Sequence, residues 1–455
     1  MTRKKTTLTF YGGVNEIGGN KILLEDGKAR IFLDFGQSFT IGSDYFTSWL
    51  APRATNGLGD YFEFDLLPRI EGLYSREQLT ERFEHLFRTE PKVNAVFLSH
   101  AHIDHVGHVM FLDERIPIHC GHGTRIFLES MEETSSAGFG KHPYRGFRTG
   151  HEIEIEDLVV EPVHVDHSIP ASYGFIIHTS EGAIVYTGDF RAHGPRKEMT
   201  EEFVEAACEC EPIAVISEGT RLGETGQRKN YSESEVQKLS NEIVSATDKI
   251  VFVTHYGRDM DRFRTFYNVA RDNDRKLIIS PKTAHLLNRL LEDKHLPLPD
   301  PVKDENILVY YKRKKTGSFQ ETDYYVWERK FMDKMVTHDF VHEHQDEILM
   351  DLDFYQFAEL VDIKPHPNSH FIHSMSEPFS EEDIEDAVMH NWLDHFKIKF
   401  HQLHASGHLN RQQLVDTMKR IRPRKIFPIH TESPELFRRI SKNAQLVKYG
   451  RKYVA

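Results

Sequence analysis

The chain has 455 residues, of which 39% are hydrophobic and 28% charged, with a formal net charge of −13. That length exceeds one ordinary core, and the composition excludes a disordered or membrane-embedded protein; no run approaches the ~20 apolar residues that span a bilayer. The acidic balance argues against nucleic-acid binding by the whole surface, although the field inside a cleft is set locally.

The N-terminus, Met1 to Thr7, runs into a strand-like stretch without an apolar signal core, so an intracellular, cytoplasmic protein is expected. The first ~200 residues read as short β-rich runs. Strands are expected at Ala29–Leu33, Ala95–Ser99, Leu158–Val165 and Ala183–Thr187. Between the first two, Ser75–Phe87 has helical spacing and a serine at its start. From about Cys210 the texture changes to alternating strands and helices. Strands are expected at Ile213–Ser217, Lys249–Thr254, Lys276–Ser280 and His370–His373, and helices at Ser232–Ser245 and Asp259–Asp272. Such alternation predicts a second α/β unit with a parallel sheet. After about Asn391 a strand, a helix over Leu409–Ile421 and a strand over Lys425–Ile429 return to the first unit.

Three cysteines, Cys120, Cys208 and Cys210, are too few and too poorly spaced for a disulfide framework or zinc ribbon. The 28 histidines say more. His100, His102, Asp104 and His105 follow the strand Ala95–Ser99, where a tight turn crowds four good zinc ligands into one volume. A lone strand-end histidine is usually a satisfied core or surface residue. The pattern His-x-His-x-Asp-His instead presents two ligand pairs, suited to two cations about 3.5–4 Å apart. Further ligands stand at other strand ends: His167 after Leu158–Val165, Asp189 after Ala183–Thr187, where a carboxylate can bridge two ions, and His430 after Lys425–Ile429. Seven ligands suffice for two open catalytic sites.

This ligand set resembles the signature of the metallo-β-lactamase superfamily, and Asp34 in Leu-Asp-Phe-Gly resembles the motif that supports the ligands from behind. The unit inserted between Asp189 and His430 resembles the β-CASP domain of nucleic-acid hydrolases. Within that group, Gly12-Gly13-Val14-Asn15-Glu16-Ile17-Gly18, His167-Ser168-Ile169-Pro170, Tyr186-Thr187-Gly188-Asp189-Phe190, Ser406-Gly407-His408 and Phe427-Pro428-Ile429-His430 resemble ribonuclease J.

The resemblance implies an αββα sandwich split by an inserted α/β unit: residues 1–208, then 209–392, then 393–455 completing the sandwich. It implies that Glu218 and His408 are the acidic residue and the histidine of two β-CASP motifs, with Glu218 holding His408 in one tautomer. Asp104 and His408 are expected to act in catalysis. Ser374, Ser376, Ser406, Gly407 and His408 are expected to line the substrate path, and Arg258 and Arg262 to contact phosphate. Ser374-Met375-Ser376-Glu377-Pro378 stands where the family has Ser-Gln-Gly-Glu-Pro, near a pocket for a 5′ monophosphate, so sensing of the 5′ end is left open.

The implied activity is hydrolysis of single-stranded RNA with two zinc ions, or manganese in their place, from the 5′ end or internally. His100, His102 and His167 would hold one ion, Asp104, His105 and His430 the other, with Asp189 between them. A homodimer follows from the resemblance alone. The alternatives are a single-stranded DNA nuclease, a small-molecule ester or lactone hydrolase on the same fold, and a metal-free RNA-binding scaffold.

Overall fold

Strict alternation of side chains assigns the layers. The structure, a computed structural model, describes residues 5–47, 49–135, 138–224, 229, 231–376 and 384–455. Among these, one seven-stranded sheet runs in space from Lys452–Val454 through Thr7–Phe10, Ile22–Asp26, Ala29–Leu33, Ala95–Leu98 and Ile118–Gly121 to Tyr144–Phe147. A six-stranded sheet runs from Ile426–Ile429 through Ala214–Glu218, Gly182–Tyr186, Tyr173–Thr179 and Leu158–His164 to Ile153–Ile155. Ile31, Leu33, Ala95 and Phe97 of the first sheet share a core with Ile184, Tyr186, Ile216 and Phe427 of the second. Their neighbours face away. Phe32, Val96 and Leu98 pack against the 58–112 segment, and Val185 and Val215 against helices Lys197–Glu209 and Arg411–Ile421. The result is two sheets face to face with helical layers outside.

The third sheet has seven strands, all parallel, in the order Met335–Val336, Ile307–Tyr310, Lys276–Ile279, Ile348–Asp351, Val251–Thr254, His370–His373, Lys399–Gln402. It is covered on both faces, with Val251 and Val253 in one core and Phe252 in another, as a parallel sheet requires. Its helices start where their caps dictate. Ser232 forms a reciprocal capping box with Glu235, Asp259 accepts from the Arg262 amide, and Ser280 precedes Pro281 at the first helical position.

Three expectations change. The strand expected at Ile213–Ser217 as the first of the inserted unit lies instead in the sandwich, between Gly182–Tyr186 and Ile426–Ile429, so the inserted unit starts after Glu218 and not at 209. Ser75–Phe87 is not one helix but two 3₁₀ turns, Arg76–Gln78 and Glu81–Leu86, separated by extended Leu79 and Thr80. There the Gln78 carbonyl accepts from the Leu58 amide, and Phe83 and Leu86 are drawn into the core instead of forming a helical stripe. The third sheet also runs past residue 392, because Lys399–Gln402 pairs with His370–His373 before the chain crosses back. A four-residue strand carries no sign of which sheet it joins.

Candidate metal centre

The parallel strands Ala29–Leu33 and Ala95–Leu98 end side by side, and their carboxyl ends carry Asp34 and the His100–His105 turn. The parallel strands Gly182–Tyr186, Ala214–Glu218 and Ile426–Ile429 end in Asp189, Glu218 and His430. The backbone is held there in conformations L-residues rarely adopt, with φ of +57° at Asp34 and +49° at His430. The His430 amide is anchored on the Gly13 carbonyl at 2.8 Å. A Cβ on Gly13 would come within 2.1 Å of Asn20 Oδ1, so the glycine at this close approach has no substitute.

Four ligand-type side chains, His100, His102, His167 and Asp189, converge within 4.8 Å of one another, as do Asp104, His105, Asp189 and His430. His102 Nδ1 lies 3.0 Å from His100 Nε2 and 3.1 Å from His167 Nε2. Asp189 Oδ2 lies 3.8 Å from His100 Nε2, 3.2 Å from His105 Nε2 and 3.6 Å from His430 Nε2, so one carboxylate belongs to both groups. Asp104 Oδ2 is 3.0 Å from His430 Nε2.

The far ring nitrogens are already engaged. Gly407 O accepts from His167 Nδ1 at 2.6 Å, Asp34 Oδ2 from His105 Nδ1 at 2.7 Å, and Thr220 Oγ1 from His430 Nδ1 at 2.8 Å. Each of these three histidines therefore turns its Nε2 to the centre, the arrangement that fixes metal-ligating imidazoles. Asp34 also accepts from Ser99 N and Tyr186 Oη, at 2.7 and 2.5 Å. It is a fully buried anchor behind His105.

The electrostatics ask for positive charge. Burial works against ionising Asp104 and Asp189, yet the facing imidazoles His105 and His430 hold both carboxyls below the ordinary range. Burial likewise opposes charge on His430, but Asp189 and Asp104 outweigh it and lift the ring to about 9. His100 and His102 are pushed well down and His167 to about 3, chiefly by burial, so these stay neutral. Buried carboxylates beside a cluster of imidazole nitrogens, with no lysine or arginine bonded to them among the described residues, fit divalent cations, which would take the place of the protons on His105 and His430.

Beside this centre, Asp189, Glu218 and His408 form a third convergent group. His408 Nδ1 lies 3.1 Å from Glu218 Oε1. Thr220, which the sequence reading passed over, links both halves: its hydroxyl donates to Glu218 Oε2 at 2.7 Å and accepts from His430. Its place two residues after Glu218 was a usable signal; Asn20, 3.4 Å from His105 Nε2, gave none.

The expected substrate residues separate. Gly407 is against the centre, where a Cβ would lie 2.7 Å from His167 Cε1, and Ser406 Oγ accepts from the His408 amide. Arg258 donates to Ala101 O at 3.1 Å, near enough to Asp104 to be influenced by it, although burial is what lowers its basicity most. Arg262 is no phosphate contact: it is fully buried, with its guanidinium spent on Glu233, Ser374 and Ala405 O. Ser374 is likewise buried, its hydroxyl bonded to Arg262 and Leu403 O, and so is not free to meet substrate. Ser376 Oγ bonds Tyr256 Oη at 2.6 Å, while Glu377 and Pro378 of that loop lie outside the described residues.

Known proteins resemble this arrangement. Residues 70–221 match the family model described as "Beta-lactamase superfamily domain", and residues 395–441 that described as "Zn-dependent metallo-hydrolase RNA specificity domain". The first stretch contains six of the seven candidate ligands and Glu218; the second contains His408 and His430. Residues 70–221 thus carry a domain similar to those of the metallo-β-lactamase superfamily. Among individual proteins the chain is similar to ribonuclease J. Ribonuclease J of Helicobacter pylori is 22% identical over 455 residues, 95% of this chain and 56% of that protein. Ribonuclease J of Mycoplasma genitalium is 25% identical over 459 residues, 94% of this chain and 68% of that protein. The chain thus spans a little over half the length of the Helicobacter relative. The crystal structure of a protein of unknown function from Enterococcus faecalis V583 superposes with a TM-score of 0.77 at 23% identity, covering 99% of this chain and 100% of that one, which shows the fold alone. Among the described residues no helix is long and apolar enough to cross a membrane.

Proposed function

We propose that this protein is a zinc-dependent ribonuclease that hydrolyses phosphodiester bonds in single-stranded RNA. One observation carries the reading: two four-residue ligand groups share Asp189, and a histidine–carboxylate pair stands against them. The printed descriptions of the relatives and of the 395–441 domain support RNA as the substrate.

His100, His102, His167 and Asp189 would hold one zinc ion; Asp104, His105, His430 and Asp189 would hold the second, and manganese suits the same mixed nitrogen–oxygen donors. Bound zinc would lower the pKa of a water to about 7 and offset charge on the phosphoryl oxygens. The chain's own residues supply the rest. Asp34, Gly407 O and Thr220 engage the Nδ1 atoms of His105, His167 and His430, so that these three ligands would offer Nε2 to the ions. Glu218 engages His408 Nδ1, and Glu218 with Asp189 raises the ring's basicity against the opposing effect of burial. The charged form of His408 is thereby favoured, and the ring would pass a proton to the departing 3′ oxygen. Water adds to phosphorus, the P–O3′ bond breaks, and the products are a 5′ phosphate and a 3′ hydroxyl.

The test is digestion of 5′-labelled single-stranded RNA bearing a 5′ monophosphate or triphosphate. Mononucleotide release from the monophosphate strand defines a 5′-to-3′ exonuclease, and internal fragments from both define an endonuclease. Cleavage of neither by metal-loaded protein would overturn the ribonuclease reading in favour of single-stranded DNA or a small ester.

A further inference from the structure

Beside the centre, on the same side of the first sheet, the segment that follows Ala29–Leu33 encloses a cavity of about 750 Å³. Its walls include Gln37, Gly42, Phe46, Tyr61, His108 and Phe111. Ligands in open sheets gather outside the carboxyl ends of parallel strands, and this cavity opens there. One wall is the turn that continues from Asp104 and His105: the Gln37 amide donates to Ile103 O at 3.0 Å, and the His108 amide to Phe35 O at 3.1 Å. Ser38, another lining residue, pairs with Gly18, whose Cβ would lie 2.7 Å from that of Asp104. The wall of the cavity is thus in direct contact with the turn that carries Asp104 and His105.

Its lining has the character of a site for a flat heteroaromatic ring. Tyr61 and Phe111 stand 4.8 Å apart, with His108 edge-on to Tyr61 at 5.6 Å. His108 is 3% exposed and contributes its ring to this wall. Gln37 adds an amide with a donor and an acceptor on one edge. At the rim, between lining residues Thr47 and Ala51, Trp49 is 94% exposed. Pockets of ~300–1,000 Å³ with aromatic walls and a few polar groups are the usual form of small-ligand sites.

We propose that this cavity is a base-binding subsite, which takes one unpaired nucleobase of the strand being cut, stacked on the aromatic walls and bonded at its edge by Gln37. The proposal rests on the ribonuclease reading. It adds a fixed distance between the base that is held and the bond that is broken, so cleavage depends on one position of the strand more than on its neighbours.

Gly42 gives a clean test, since a Cβ there meets no atom within 4 Å and points into open space. Gly42→Phe fills the cavity. The metal-loaded wild type, Gly42→Phe and the rim variant Trp49→Ala are compared for kcat/KM on single-stranded RNA in which one abasic residue is walked along the strand. Base–aromatic stacking is worth roughly 1–3 kcal/mol per base, so Gly42→Phe should lower kcat/KM on the intact strand by about 5- to 150-fold. An abasic residue at one position should lower the wild type by a similar factor and erase the difference between wild type and Gly42→Phe. Trp49→Ala should lose several-fold on the intact strand. If RNA is cut but every abasic position affects wild type and Gly42→Phe equally, the subsite is overturned while the nuclease reading stands. If no RNA is cut by the wild type, both fall.

Discussion

Two buried clusters of charge lie within a few residues of each other and are solved in opposite ways. In one, Arg191 and Arg262, both fully buried, meet Asp166, Glu233 and Asp261. Arg191 reaches Asp166 at 3.2 Å, Glu233 at 2.8 Å and Asp261 at 2.7 Å, and Arg262 reaches Glu233 at 3.1 Å. In the other, Asp104 and Asp189 face the Nε2 atoms of imidazoles whose far nitrogens are already engaged. The first cluster carries its own cations and acts as a clasp: Arg191 belongs to the sandwich, while Glu233, Asp261 and Arg262 belong to the inserted unit, and Arg262 also holds Ala405 O of the returning segment. The second has no such cations and is built to receive them. Carboxylates bonded to arginine mark structure here, and carboxylates left to histidine nitrogens mark chemistry.

Changing a residue in each cluster sharpens that contrast. Asp189→Ala removes the carboxylate common to both ligand groups, and hydrolysis should fall by on the order of 10³-fold or more with metal content, because stabilisation worth several kcal/mol is lost. Paired cleavage assays and elemental analysis check it; full activity without Asp189 would sink the two-ion reading. Arg191→Ala should act on stability instead, costing about 3–5 kcal/mol in urea denaturation, because Asp166 loses its arginine and Glu233 and Asp261 each lose one of two. If Arg191→Ala unfolded at the wild-type midpoint, the clasp would be no clasp. His408→Ala should reduce cleavage by roughly 10²- to 10⁴-fold with zinc retained. Asp34→Asn should weaken zinc binding by about 10- to 100-fold, measured by chelator competition, since His105 loses the carboxylate that orients it.

The smallest effect is a pH dependence. Two guanidinium groups face four carboxyls, and burial, reinforced by Asp259 and Glu233, lifts Asp261 to about 7 despite Arg191. A carboxyl with a raised folded pKa favours the folded state below its unfolded pKa of about 3.9, and that contribution is lost as pH rises through 7. Asp261→Asn should therefore flatten the decline of unfolding free energy between about pH 4 and 7. An unchanged slope would show that the proton sits elsewhere in the cluster.

Much of this was readable in advance, for a physical reason. His100–His105, His167, Asp189 and His430 each follow an apolar strand, and strands that share a sheet bring their ends together. The partners behind them were not readable. Tyr186 and Asn20 meet Asp34 and His105 only through the fold. Arg262 read as a phosphate contact, yet its side chain is turned inward to Glu233 and Ser374. Ser75–Phe87 had helical spacing, but its apolar residues are claimed by the neighbouring core. The cavity behind His108 depends on a loop whose course no periodicity encodes.

The central claim is that the shared-carboxylate centre holds two ions. The most direct measurement is zinc content per chain by elemental analysis after loading and exhaustive desalting, with Asp189→Ala and Arg191→Ala beside the wild type. Two ions in the wild type and in any folded Arg191→Ala, with Asp189→Ala depleted, is the expected result. Metal-free wild type, or zinc unaffected by Asp189→Ala, would contradict it.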